Sequence, residues 1–145
     1  MADSTVDATN SAPSPPSPKS PEPSESPESI PAAPIANSVR IAAIICTHNR
    51  EDYLGAAIDS LLTQTLPMDE YEIIVVDNAS TDRTGAIVAA HREQPNLRYI
   101  YEATLGLSVA RNTGAMAATA PILAYLDDDA VATPGWLAAL LAGFD

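Results

Sequence analysis

Lysine is nearly absent from this chain: the single one, Lys19, sits among prolines and serines near the start. Phosphoryl-transfer domains of the receiver and haloacid-phosphatase kinds need a lysine beside their aspartates, so that chemistry is excluded from the remainder. Cations of either type are scarce, seven against nineteen acids, for a net charge of −12. A nucleic-acid surface needs a basic stripe, and that partner is excluded too. Cys46 is the only cysteine, which rules out an intrachain disulfide and a cysteine-based zinc cluster. Lying in an apolar run, it reads as a small buried hydrophobe rather than a reactive thiol. No apolar stretch approaches the length of a membrane-spanning helix, and there is no internal repeat.

Composition divides the chain. Residues 1–38 hold nine of the thirteen prolines and nine serines, with no aromatic residue. Such a segment buries too little surface to offset its ordering entropy and is predicted to be disordered. It lacks the basic start and continuous apolar stretch of a signal peptide. Residues 39–145 are rich in Ile, Leu, Val and Ala and long enough to enclose a core. The charge splits as −4 for the tail and −8 for this domain, so any phosphorylated ligand there requires a cation.

Apolar runs predict four strands, over 39–46, 71–76, 97–101 and 122–126. Between them, helical spacing predicts helices over 51–66, with Glu51 and Asp52 favoured by the dipole in the first turn, and over 81–93, capped by Ser80. Two more follow over 106–118 and after Thr133-Pro134, a capping hydroxyl with proline at the first helical position. Strand and helix alternating four times is the pattern of an α/β domain on a parallel sheet. Ligands of such sheets sit outside the carboxyl ends of the strands. The unusual polar residues fall there: Thr47, His48, Asn49 and Arg50 after strand one, Asp77 to Ser80 after strand two, Asp127, Asp128 and Asp129 after strand four. Three adjacent carboxylates repel one another, and a hard divalent cation relieves that repulsion. A solvated acidic turn is the alternative reading of the triplet alone.

Four segments together carry a resemblance: Ile45 to Arg50, Ile74 to Asp82, Gly106 to Gly114, and Tyr125 to Asp129. In order and spacing they resemble the family 2 nucleotide-sugar glycosyltransferases, an inverting group with the GT-A (Rossmann-like) fold, over roughly residues 41–141. The resemblance implies a nucleoside-diphosphate sugar donor, with UDP-sugars favoured and GDP- and dTDP-sugars open, and Mg²⁺ or Mn²⁺ as cofactor. It implies that Thr47 and the backbone of His48, Asn49 and Arg50 line the base pocket. Asp77 and Asn78 stand where two acids are common, which leaves open which of them contacts the base. Asp129, with Asp127, is implied as metal ligand, and Asp127 and Asp128 as holders of hydroxyls and metal-bound water. Arg111 pairs with the sugar nucleotide, locks the aspartate triplet, or serves a structural salt bridge. Gly106 and Gly114 allow a turn and close helix packing.

Tyr53, Tyr99, Tyr101 and Trp136 read as core or boundary aromatics rather than sugar platforms, and His91 as solvated. A dinucleotide oxidoreductase would need a glycine-rich turn after the first strand, where this chain has Thr-His-Asn-Arg. Inverting transfer needs a general base, which the resemblance places beyond Asp145. The expectation is therefore a truncated domain with an unpaired sheet edge and an exposed apolar face. The acceptor (glycan, lipid or protein) is undefined. A cytoplasmic location is expected, or the cytoplasmic face of a membrane if further C-terminal sequence reaches one. A nucleotide-sugar-binding module without turnover is the rival from another class.

Overall fold

The computed structural model describes residues 38–145 and the pair 13–14. Apart from that pair and Ser38, the tail predicted to be disordered lies outside the described residues. Within the unit that spans Pro34–Asp145, the order is β1 (Ile41–Thr47), α1 (Leu54–Leu62), a 3-10 turn (Met68–Glu70), β2 (Tyr71–Asn78), α2 (Thr84–Ala89), β3 (Leu97–Glu102), α3 (Leu107–Ala117), β4 (Ile122–Tyr125) and α4 (Trp136–Ala142). The four strands form one sheet in the order β3-β2-β1-β4, and every pairing is parallel. This is the predicted α/β architecture. Strand order reverses direction at β1, so the crevice between the ends of β1 and β4 is the topological switch point.

β1 and β2 are central, which explains their near-continuous apolar sequence. Ile41, Ala43, Ile45, Ile73 and Val75 face one side and pack with Leu54, Ile58 and Leu61 of α1, Val88 of α2 and Leu137 of α4. Ala42, Ile44, Ile74 and Val76 face the other side, where Ala110 of α3 joins them. α3 approaches closely through small residues. A methyl built at Gly114 would lie 2.6 Å from Ile44 Cγ2 and 3.2 Å from Val76 Cγ2.

The predicted helices run longer than the observed ones, and polar contacts set three of the observed starts. α1 begins at Leu54 because the Arg50 carbonyl accepts the Tyr53 and Leu54 N–H groups in a turn. Glu51 meanwhile reaches sideways to the Arg83 backbone N–H at 2.9 Å. α2 begins at Thr84 because Asp82, not Ser80, takes the Thr84 N–H, at 2.9 Å; the Ser80 hydroxyl accepts from the Asn49 N–H instead. α4 begins at Trp136, and its start is held by a residue far upstream. Gln64 Oε1 accepts the Leu137 N–H at 2.9 Å, and its Nε2 donates to the Thr133 carbonyl at 2.8 Å. The predicted Thr133 cap is not formed.

β3 and β4 are the sheet edges. On the α3 side β4 leaves Leu123 and Tyr125 each 39 % exposed, and Met116 on α3 is 86 % exposed. Among the described residues no helix is long and apolar enough to cross a membrane.

Gly114→Ala forces α3 off the sheet and should destabilise the fold by about 1–3 kcal/mol. Gly135, with nothing within 4 Å of an added methyl, is the control, and Gly135→Ala should move stability by less than about 0.5 kcal/mol. Denaturant melts of the two variants compare them directly, and equal losses would refute the close-approach argument.

Candidate functional site

Unequal pairing opens the site. β1 runs beside β2 as far as Thr47↔Asp77, but beside β4 only to Ile44↔Tyr125. The Leu126 N–H to Ile44 carbonyl bond, 3.0 Å, closes that ladder. The chain then turns away, with the Ala130 N–H on the Asp127 carbonyl at 3.0 Å. Cys46 and Thr47 thus border open space, a cavity of about 540 Å³. Its walls are Cys46, Thr47, His48 and Arg50 from the β1 end, Asn78 from β2, Leu105 to Leu107 with Ala110 from the start of α3, and all three of Asp127, Asp128 and Asp129.

Of the ten residues singled out by sequence, seven therefore meet in one cavity, while Asn49, Asp77 and Arg111 do not line it. Asn49 adopts the left-handed region at φ 50°, which asparagine tolerates better than most residues. Its Oδ1 accepts from the Thr81 N–H at 2.8 Å, and its own N–H donates to Ser80 Oγ at 2.9 Å. It clamps the β1 loop to the β2 loop. Ala79, also left-handed at φ 55°, is the strained residue of the second loop.

Asp77 is buried beneath the Tyr99 hydroxyl, which donates to Oδ2 at 2.6 Å, while Oδ1 accepts the Ser80 N–H at 3.1 Å. That contact and burial hold the Tyr99 phenol well above its usual pKa, burial being the larger cause. Arg111, exposed on α3, holds its guanidinium 5.7 Å from the Tyr125 ring centroid and near enough to Cys46 to favour its thiolate. No carboxylate lies within 4.0 Å of it among the described residues, so it neither locks the aspartate triplet nor forms a salt bridge.

Asn78 borders the cavity with its amide fully engaged. Nδ2 donates to the carbonyls of Glu102 at 3.1 Å and Thr104 at 2.8 Å, and Oδ1 accepts the Gly106 N–H at 2.8 Å. Its own carbonyl accepts from His48 Nδ1 at 2.7 Å. His48 Nε2 is left to accept from Asn49 Nδ2 at 3.3 Å, which assigns the tautomer. Gly106, the residue before α3, sits at φ 153°, a conformation only glycine takes readily. His91, read as solvated, instead bridges the Ile87 carbonyl and Asp59, each at 2.9 Å.

Two features mark the cavity as built for a ligand. Thr47 is 3 % exposed, and its hydroxyl makes no well-formed hydrogen bond but stands toward the Asp128 carboxylate, whose charged form it favours. Asp128, only 15 % exposed and 3.9 Å from Arg50 Nε, has its pKa raised, by burial first and then by Asp129 and Asp127. Thr47 and Arg50 oppose the shift. Burial also pushes the Cys46 thiol up to about 11; the side chain is half-buried against the cavity and inert, in line with its reading as a hydrophobe.

The donor set fits a divalent ion of the Mg²⁺ or Mn²⁺ type. Three hard carboxylates edge one cavity, but no three acidic, histidine or cysteine side chains among the described residues form a closed cage. Ions of this kind are held by one or two carboxylates plus substrate phosphates rather than by an all-protein cage.

Glu72 and Gln64 escaped sequence reasoning. Glu72 Oε1 accepts the Thr119 and Ala120 N–H groups at 2.6 and 3.0 Å, and Oε2 pairs with Arg98 at 2.9 Å. It thereby anchors the entry to β4. A charged residue inside an apolar strand was the only available signal.

Comparison with known proteins agrees with this geometry. The profile described as "Glycosyl transferase family 2" matches residues 42–145. Validoxylamine A glucosyltransferase of Streptomyces hygroscopicus subsp. jinggangensis is 35% identical over 70% of this chain and 25% of its own length. The crystal structure of S. aureus TarS 1-349 superposes with a TM-score of 0.68 at 30% identity, over 72% of this chain and 32% of that one. The mannosyltransferase PcManGT from Pyrobaculum calidifontis, solved with GDP-Man and Mn²⁺, gives 0.59 at 32% identity over 63% and 28%. The chain thus spans about a quarter of the curated relative's length.

Two outcomes follow from the perturbed groups. Below pH 11 the Cys46 thiolate fraction grows about tenfold per pH unit, so iodoacetamide labelling should still be climbing from pH 9 to 10; a plateau by pH 9 would mean the thiol is unshielded. For Asp128, folding favours the protonated acid. Its contribution is fully present below the ordinary value of 3.8 and lost as pH rises through the raised value. Asp128→Asn should therefore raise Tm at pH 7, with the gain gone near pH 3; a variant less stable than wild type at pH 7 would contradict this.

Proposed function

The chain belongs to glycosyl transferase family 2, and on that premise we propose that it transfers a sugar from a nucleoside-diphosphate sugar to an acceptor hydroxyl, with inversion and a divalent metal. The observation that carries this is the cavity at the switch point, lined together by the β1 end at Thr47 and by all three carboxylates of Asp127, Asp128 and Asp129. In this reading Thr47 and the backbone of His48 receive the base, while Leu105 and Leu107, exposed at the cavity wall, offer apolar surface to it. Asp127 and Asp129 hold the ion, and Asp128, least exposed of the three, orients hydroxyls. The bound ion would offset the repulsion between diphosphate and carboxylates, about 4 kcal/mol per charge pair at 4 Å and an effective dielectric of 20, and stabilise the leaving diphosphate. UDP-sugars are the favoured donors, supported by the complex of S. aureus TarS with UDP-GlcNAc; GDP-sugars have the GDP-Man complex of PcManGT behind them.

One observation favours a second reading, binding without turnover. Inverting transfer needs a base at the acceptor, and among the described residues the triplet supplies the only carboxylates lining the cavity.

Calorimetric titration with UDP, GDP and dTDP, with and without Mn²⁺, tests the donor reading. Metal-dependent binding with UDP tightest is expected. Asp129→Ala should remove the metal dependence, and Thr47→Val should weaken binding by about three- to tenfold, the worth of one hydrogen bond. Absence of metal-dependent binding of all three nucleotides overturns the proposal. A parallel sugar-transfer assay separates turnover from binding alone.

A further inference from the structure

Counter-charge is scarce at the acidic rim of the cavity, where Arg111 acts on Cys46 but does not line the space. Among the cavity-lining residues Arg50 is the only lysine or arginine, and both nitrogens of His48 are already engaged. The backbone of Arg50 is pinned: its N–H donates to Thr84 Oγ1 at 3.1 Å, and its carbonyl accepts from Tyr53 and Leu54 at 3.1 and 3.0 Å. The side chain is loose by comparison. Nε stands 3.9 Å from Asp128 Oδ1, with the arginine side chain 49% exposed against 15% for the aspartate. The guanidinium also lies 5.9 Å from the Tyr53 ring centroid, close enough for a cation–π contact. A fixed base with a weakly held tip lets the guanidinium move among Asp128, Tyr53 and the cavity without disturbing the loop.

From this we infer that Arg50 is an exchangeable counter-cation. With the cavity free of ligand it balances the acidic rim through Asp128; with donor and metal bound it gives up the carboxylate and turns to the diphosphate. The inference rests on the donor reading above and deepens it. Two physical points support the exchange. A divalent ion and Arg50 both draw on the charge of one acidic rim, so occupancy by one weakens the hold of the other. The planar guanidinium fork suits paired phosphate oxygens better than a single carboxylate oxygen at 3.9 Å. The buried Thr47 hydroxyl, without a well-formed hydrogen bond and standing toward the same carboxylate, borders the space the ligand would enter.

The test uses the full chain and two variants, Arg50→Gln and Arg50→Lys, with folding checked by thermal melts. Mn²⁺ alone is titrated by electron paramagnetic resonance, and UDP by calorimetry in saturating Mn²⁺. Arg50→Gln should bind Mn²⁺ alone about three- to fivefold more tightly, the size of a partly screened ion pair. The same variant should bind UDP with Mn²⁺ about tenfold more weakly. Arg50→Lys keeps the charge and loses the fork, so its Mn²⁺ affinity should stay near wild type while UDP weakens. Opposite signs for the two ligands are diagnostic, because a damaged site would lose both. Mn²⁺ affinity unchanged or weakened in Arg50→Gln overturns the counter-cation, and UDP affinity unchanged overturns its transfer to the diphosphate. If wild type itself binds no nucleotide, the donor reading fails, while the Mn²⁺ measurement still decides the role of Arg50 at the rim.

Discussion

The site depends on one constraint: β1 is hydrogen-bonded along its whole length to β2 but only along its first half to β4. Parallel strands place all carboxyl ends on one rim, and a strand that leaves its neighbour early opens a gap at that rim. Ile44 is the last β1 residue bound to the β4 side. Cys46 and Thr47 beyond it keep their β2 pairing, so they stay rigid while facing space. Preorganisation of this kind suits a binding cavity, because the wall is held by the two most buried strands of the sheet.

Electrostatics then sets what the gap can hold. Three consecutive carboxylates end β4, and the folded part carries fourteen acids to six arginines. A phosphorylated ligand would meet a repulsive wall unless positive charge intervenes; Arg50 is the one arginine among the cavity-lining residues, and Arg111 acts on the wall at Cys46. The raised pKa of Asp128, driven first by burial, shows the cost of keeping such a wall without a strong cation.

Much of this was legible in sequence. Strands β1 and β2 announce themselves as apolar runs because both faces are covered, and the Asp127–Asp129 triplet ends such a run. What sequence hid were polar contacts between distant residues. Gln64 caps a helix seventy-three positions downstream, and Glu72 receives N–H groups forty-seven and forty-eight positions away. Local capping rules see only neighbours and point to Ser80 and Thr133, whereas Asp82 and Gln64 accept the N–H groups at those helix starts. The predicted helices also overran, because apolar spacing continues into segments whose first turns bond sideways to another loop.

The Asp77-Asn78 pair shows why the identity of one polar atom matters. Asp77 needs only acceptors, since a phenol and a backbone N–H point at it, and a carboxylate satisfies both. Asn78 faces two carbonyl oxygens and one N–H, a demand that a carboxamide meets and an ionised carboxylate cannot. An acid at position 78 would confront the Glu102 and Thr104 carbonyls with negative charge and release the loop that carries Leu105 and Gly106 into the cavity wall. Asparagine at this place is therefore matched to the loop it holds.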